Sequence, residues 1–438
     1  MSSPAPESSP PSLLGTDIRR LLLGSAVPWV ALWVLSRCWM LHQWAKDYTF
    51  IINDVRYYFG QLQGAQDYST VLREYPMPVV WLLDVLRQPI DDDVSLYCLL
   101  FALLMAVLDG GFSVWLWQGR SKVAAIYWMV FTFAMGPLIW FRYDLLAGVV
   151  VGVAVFLVAR RPGLSGALMA LGAGIKLWPA LLIAPLLGRD RSSRERLVWF
   201  SATGMGLALA SLLVAGPMRL VSPLSWQSGR GLQIESAWAS VPILLRAFGG
   251  PEQAGNAAVR WDVRMSPFNA FEVFGPHVET LLRLSSVAMA LGVLYTGVIA
   301  VLVFREGASP DLRALACLSI VLVMLSANKT LSPQYVAWLG AVSAAWLGLA
   351  PRGKHRARAT LVAVTCLAIA WATQYVYPNH YLGLIVPETA DRGATAALVG
   401  RNLGLVGLTA ITVWWTVEGL MTNRFAQATR VTDNIASR

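Results

Sequence analysis

The apolar residues of this chain arrive in long blocks that carry few or no charges, and this restricts the fold more than any other feature. Residues 99–117, 197–215, 281–304 and 403–415 are such blocks. A run of about 18 or more apolar residues is long enough to cross the hydrocarbon core of a bilayer as a helix. Only 14% of the residues are charged, against roughly 25% in soluble domains, and the mean hydropathy is +0.55. A chain in lipid must satisfy every backbone polar group internally, so the blocks predict α-helices. The expected fold is an all-α polytopic membrane protein, and its length reflects repeated crossings rather than several soluble domains.

Charge then orders the helices. Short loops rich in Lys and Arg stay on the cytoplasmic side. The candidates are Arg19-Arg20, Arg120/Lys122, Arg160-Arg161, the run 189–196 (RDRSSRER), Arg305, the run 352–358 (RGKHRAR) and Arg424. Placing all of them inside gives helices near 21–41, 95–117, 123–140, 145–159, 197–215, 281–304, 312–327, 333–350, 359–377 and 396–420. Residues 163–187 are basic at both ends and hold Lys176 and Pro179 near the middle. A broken, re-entrant pair of short helices with Lys176 at its apex accommodates them. Irregular backbone at membrane depth is tolerated only where protein or a cavity surrounds it.

This layout predicts a disordered cytoplasmic tail over 1–18, one transmembrane domain over 19–424, and a second cytoplasmic tail over 425–438. External loops fall near 42–94, 216–280 and 378–395. The segment 75–87 (YPMPVVWLLDVLR) is apolar but too short to span, and reads as a juxtamembrane helix lying in the interface. The Pro/Ser-rich start lacks the charged and apolar regions of a secretory signal. The net charge of +10 suits basic loops beside anionic lipid. Cys38, Cys98, Cys317 and Cys366 read as small buried hydrophobes without metal or redox spacing. His42, His277, His355 and His380 read as structural or solvated, Asp91–Asp93 as a solvated loop, and Asp109 as a kink cap or the partner of a neighbouring charge.

The informative residues are polar ones that converge on the external side. They are Asp54, Glu74, the FRYD segment with Arg142 and Asp144, Lys176, the WQSGRGLQIES segment with Arg230, Gln233 and Glu235, and the NKTLSPQ segment with Lys329 and Gln334. Charges at membrane depth cost at least a few kcal/mol, so they mark pairing or function. Taken singly, Arg142 and Asp144 also suit interface charges, Lys176 a snorkelling side chain, and Gly229-Arg230-Gly231 an ordinary turn. Together, cations beside an exposed carboxylate suit chemistry on a lipid phosphate: the cations hold the leaving phosphate and the carboxylate takes a proton from an incoming hydroxyl. No Gly-rich phosphate loop points to a nucleotide sugar, and no spacing requires a metal or other cofactor. Many helices and buried charges also suit a transporter of lipid or lipid-linked sugar, which would more often show an inverted repeat and a midplane site; neither is found.

At these residues the chain resembles the GT-C superfamily of integral-membrane glycosyltransferases, and within it glycosyltransferase family 87. The matching features run from about Asp54 to Trp338: Asp54-Val55-Arg56-Tyr57-Tyr58, Tyr75-Pro76-Met77-Pro78, Gly174-Ile175-Lys176-Leu177-Trp178-Pro179 and Ser332-Pro333. The resemblance implies a bundle of about 10–12 transmembrane helices with juxtamembrane helices in the first external loop. It implies a multi-pass enzyme of the bacterial plasma membrane, with both termini cytoplasmic and the active site external. It further implies inverting transfer of a sugar, most often mannose, from a polyprenyl-phosphate donor to a glycolipid or polysaccharide hydroxyl. Asp54 would be the catalytic base. Lys176, Arg142, Arg230 and Lys329 are then candidates for the donor phosphate, and Glu74, Tyr75, Asp144, Gln233, Glu235 and Gln334 for the sugar and acceptor. Three segments depart from the mannosyltransferase pattern: Arg142-Tyr143-Asp144-Leu145, GRGLQIES, and Gln334-Tyr335-Val336 where histidines are usual. Arabinofuranosyl transfer from polyprenyl-phospho-arabinose is the alternative.

Overall fold

The computed structural model describes residues 24–47, 49–65, 67–90, 92–119, 121–248, 261–386 and 391–436, with side chains as far as 422. The tail expected over 1–18 lies outside them. The chain is helical almost throughout. Helices α1 (Val27–Asp47), α2 (Asn53–Gln63), α3 (Met77–Arg87), α4 (Val94–Trp117), α5 (Lys122–Met135), α6 (Asp144–Phe156) and α7 (Pro162–Ile175) form the first half. They are followed by α8 (Arg191–Ala215), α9 (Pro217–Ser228), α10 (Ser240–Phe248), α11 (Val278–Glu306), α12 (Pro310–Ala327), α13 (Ala337–Leu349), α14 (Lys354–Gln374), α15 (Tyr381–Ile385) and α16 (Arg392–Ala436). The last helix carries through residues 425–436, the segment assigned from sequence to a tail.

A helix stands at each of the ten positions expected for a crossing. Among the described residues, seven helices are long and apolar enough to cross a membrane. The other three are α1, with Arg37 inside it, and the 13-residue helices α6 and α13. Local chemistry sets where helices start: Asp93 accepts from the Ser95 and Leu96 amides at 2.9 and 3.0 Å, and Asp190 from the Ser193 amide at 2.9 Å. Each satisfies orphan donors of a first turn. Gly216, at φ +79°, turns the chain out of α8 into α9, a conformation open to glycine without strain. As expected for 163–187, α7 ends at Lys176, which is extended, and a 3-10 helix at Trp178–Leu186 returns.

Packing grades from centre to rim. Helix α13 is buried along nearly its whole length and Cys317, Trp346 and Leu339 are sealed from solvent, whereas α8 exposes Val198, Trp199, Met205 and Leu213. Exposed apolar surface on that scale is what a lipid-facing helix presents. Helix α7 lies so close to α8 that a Cβ on Gly166 would stand 2.0 Å from the Arg196 carbonyl oxygen, the small-residue contact typical of membrane helices. Cys98, Cys317 and Cys366 are buried, but Cys38 is exposed on α1, because an apolar block in lipid has an outer face as well as a core. Asp109 is the partner of a charge: Arg37 grips it with Nε at 3.0 Å and Nη2 at 2.8 Å.

The two ends of the bundle differ as the charges predict. At one end Arg196 donates to the Val158 and Leu186 carbonyls at 2.7 and 2.9 Å. There too Arg313 reaches Pro185 and Leu187, and Arg358 pairs with Glu418 at 2.7 Å. At the other end the loop segments build a cap with its own apolar core, including Leu232, Ile234, Val273 and Leu398. This cap contains an antiparallel hairpin, β1 (Asp262–Met265) and β2 (Phe271–Phe274), with Val263 opposite Val273. The all-helical expectation gave no sign of it. Residues 232–234 join its edge, the Val273 amide donating to Leu232 O at 2.8 Å and the Ile234 amide to Phe271 O at 3.1 Å.

Candidate active site

The capped end encloses a cavity of about 890 Å³, large enough for a sugar and phosphate. Ten of the eleven sequence-derived candidates line it: Asp54, Glu74, Tyr75, Arg142, Asp144, Lys176, Arg230, Gln233, Glu235 and Gln334. Lys329 is the exception. Its ammonium donates to the Ser228 carbonyl at 3.0 Å, outside the lining. Burial lowers the Lys329 pKa, with Glu272 opposing and Arg230 reinforcing the shift.

Asp54 sits in the first turn of α2, where a carboxylate meets the positive end of the helix dipole. Arg142, at the turn between α5 and α6, places Nε 2.9 Å from Asp54 Oδ2. Its Nη1 donates to the carbonyls of Ile51 and Phe141 at 2.7 and 2.8 Å. One guanidinium thus ties the carboxylate, the turn before α2 and the end of α5 together. Burial works against the Arg142 charge, but Asp54 and, behind it, Tyr377, Tyr58 and Asp144 together outweigh burial, leaving the Arg142 pKa above its ordinary value. The Asp54 side chain keeps 29% of its surface exposed and that of Arg142 6%, so the acid faces the cavity and its partner lies behind.

Glu74 accepts from the Tyr57 hydroxyl at 2.7 Å. Burial, then Glu74, raises the Tyr57 pKa, so this phenol remains a donor. Arg219 on α9 donates to the Val71 and Leu72 carbonyls at 3.1 and 2.8 Å and so holds the loop that presents Glu74. Tyr75 packs edge-on against Tyr58 and Tyr143, with centroids 5.7 and 5.3 Å away.

Lys176 projects from the helix break towards Asp144, 2.5 Å from its Oδ1, and Trp338 Nε1 donates to the same oxygen at 2.7 Å. The ammonium lies 4.9, 4.6 and 5.2 Å from the ring centres of Tyr143, Tyr335 and Trp338. This is a cation held by a carboxylate and aromatic faces together. Glu235 is likewise paired, with Arg401 Nη1 at 2.8 Å from Oε2 and both side chains wholly buried. Arg230 differs: among the described residues it forms no ion pair.

Sequence reasoning missed Arg401, although a lone arginine in the apolar run 396–417 is the kind of charge that lipid does not tolerate without a partner. It also missed the aromatic walls, Tyr377, Tyr381, Trp226 and Phe268, because an aromatic in a membrane protein is indistinguishable by sequence from an interfacial belt residue.

More than half of the chain, residues 93–327, matches the model of Glycosyltransferase family 87. The chain belongs to this family. It is a membrane enzyme that transfers sugar. The match includes Arg142, Asp144, Lys176, Arg230, Gln233 and Glu235; Asp54 and Glu74 lie beyond its limits and are brought to the same cavity by the fold, and Arg401, also beyond them, pairs with Glu235 on the cavity wall. No curated protein and no solved structure matches the chain. Among the described residues no group of three or more His, Cys, Asp or Glu side chains is gathered to hold a metal ion.

Proposed function

We propose that this family 87 enzyme moves a sugar, most often mannose, from a polyprenyl-phosphate donor to a hydroxyl of a cell-envelope glycolipid or polysaccharide. The transfer is one inverting displacement. Asp54 takes the proton of the acceptor hydroxyl as its oxygen attacks the anomeric carbon. The bond from that carbon to the phosphate oxygen breaks on the opposite face, and polyprenyl phosphate leaves with its electron pair. A phosphate needs little protonation to leave, so one carboxylate suffices, unlike the paired acids of glycosidases. The observation that carries this reading is the Asp54 carboxylate, partly open to the cavity and ion-paired through Oδ2 with a buried arginine.

Arg230 is the phosphate ligand that the arrangement favours. Arg142 and Lys176 already neutralise Asp54 and Asp144, whereas Arg230 lines the cavity with no carboxylate of its own. The enzyme lies in the bacterial plasma membrane as one domain over 19–424, with the cavity outside and the termini and basic loops inside. The basic clusters at the end opposite the cavity support that orientation.

The test is to incubate purified protein with polyprenyl-phospho-mannose or polyprenyl-phospho-arabinose and a panel of glycolipid acceptors. Consumption of the mannosyl donor with net inversion in the product is the expected result. Preference for the arabinosyl donor would replace mannose with arabinofuranose. Consumption of neither would sink the lipid-phosphate reading.

A further inference from the structure

Glu235 carries an unsatisfied oxygen inside the cavity wall. Its Oε2 accepts from Arg401 Nη1 at 2.8 Å and its main-chain carbonyl from Arg401 Nη2 at 2.5 Å. Arg401 is fixed in turn by Asn402, whose Oδ1 accepts from Arg401 Nε at 3.1 Å. Asn402 Nδ2 donates to the Ser236 carbonyl and Ser240 Oγ at 3.1 and 2.8 Å, closing the network around the 235–240 turn. Glu235 and Arg401 are 0% and 2% exposed. Yet Glu235 Oε1 is buried without a hydrogen-bond partner, as is Gln233 Oε1 beside it on the same wall.

A buried acceptor left unmade costs on the order of 1–3 kcal/mol, and one carboxylate oxygen paired beside one unused is an arrangement waiting for a donor. A carboxylate can only accept. A phosphate, also acceptor-only and anionic, is repelled there, whereas a sugar hydroxyl supplies the missing proton. A purely structural ion pair would have no need to border the cavity or to leave one oxygen bare.

We propose that Glu235 Oε1 is the acceptor for one hydroxyl of the sugar in the cavity, and that Arg401, from the last long helix, is the positioning residue that aims it. This rests on the glycosyl-transfer reading. Sites built to hydrogen-bond a substrate hydroxyl reject the analogue that lacks it far more strongly than apolar pockets reject a change of size. Glu235 and Arg401 therefore determine which sugar is accepted.

The experiment measures kcat/KM of the intact protein in detergent for polyprenyl-phospho-mannose against its monodeoxy analogues, and for a turned-over glycolipid acceptor against its deoxy forms. Wild type is expected to disfavour one deoxy compound by about ten-fold or more; the donor or the acceptor series in which it appears identifies whose hydroxyl is held. Arg401→Lys, whose single ammonium cannot span Glu235 Oε2, Glu235 O and Asn402 Oδ1 together, is expected to lower that ratio several-fold while thermal unfolding stays cooperative. Because removing one buried charge can prevent folding, the double variant Glu235→Met/Arg401→Met removes both; its transfer should fall but stay measurable, and its ratio should approach one. Discrimination unchanged in both variants would overturn the assignment and leave glycosyl transfer standing. A wild type that consumes no lipid-linked sugar would overturn both.

Discussion

Arg142 Nε stands 2.9 Å from Asp54 Oδ2 across 88 positions of sequence, and the same guanidinium holds the Ile51 carbonyl that leads into the Asp54 helix. The Asp54 carboxylate and the backbone that leads into it therefore meet one side chain. Lysine cannot replace it: an ammonium is a point charge, and the two directions of contact need the planar fork. Arg142→Lys is expected to lower kcat about 100-fold, the order seen when reacting groups are misplaced by an ångström, with little change in KM for the donor. Steady-state kinetics on both substrates distinguishes this from a loss of binding.

Arg230 offers the contrary pattern. It takes part in no ion pair, so its loss leaves no buried partner charge behind. Hydrogen bonds to charged groups are worth about 1.5–3 kcal/mol. Arg230→Gln should raise KM for the polyprenyl-phosphate donor by roughly ten- to a hundred-fold without lowering the unfolding temperature. An unchanged KM would move the phosphate site elsewhere in the cavity.

The Lys176–Asp144 pair is predicted to be structural as well as functional. Asp144 is 2% exposed, and removing one partner of such a pair costs about 3–5 kcal/mol through the charge left unpaired. Lys176→Met should therefore depress the thermal midpoint in detergent clearly. Adding Asp144→Asn should recover much of the stability but not the transfer activity.

Arg37 and Asp109 make the same argument away from the chemistry. They pair at 2.8 Å between α1 and α4, with Arg37 also donating to Thr132 on α5. Arg37→Met is expected to destabilise by about 3–5 kcal/mol, and Arg37→Met/Asp109→Leu to regain most of it. Donor KM should be unaltered in the double variant, since neither residue lines the cavity.

Much of this architecture is legible from residues alone, for physical reasons. Helix positions follow from the length of apolar blocks, and the break at Lys176 follows from a basic residue and Pro179 inside one of them. The two ends separate because Lys and Arg loops alternate with acidic or neutral ones. The convergence of Asp54, Glu74 and Gln334 on one cavity follows once those ends are distinguished. Partnership is what the residues do not declare. Nothing in the sequence says that Arg142 serves Asp54, that Lys176 serves Asp144, or that Arg230 is left over, because pairing depends on which helices pack together. The β1–β2 hairpin escaped for a different reason: two strands of four residues each give too short an alternation to stand out from a loop.

The central claim is that Asp54 removes the acceptor proton. The direct measurement is the single-turnover rate of sugar transfer by Asp54→Asn, with donor and acceptor saturating and folding verified by thermal unfolding. Asparagine keeps the side chain's shape but cannot take the proton, and a general base contributes about 10²–10⁴-fold. A fall of that size with donor binding intact is the expected result; transfer at the wild-type rate would contradict the account.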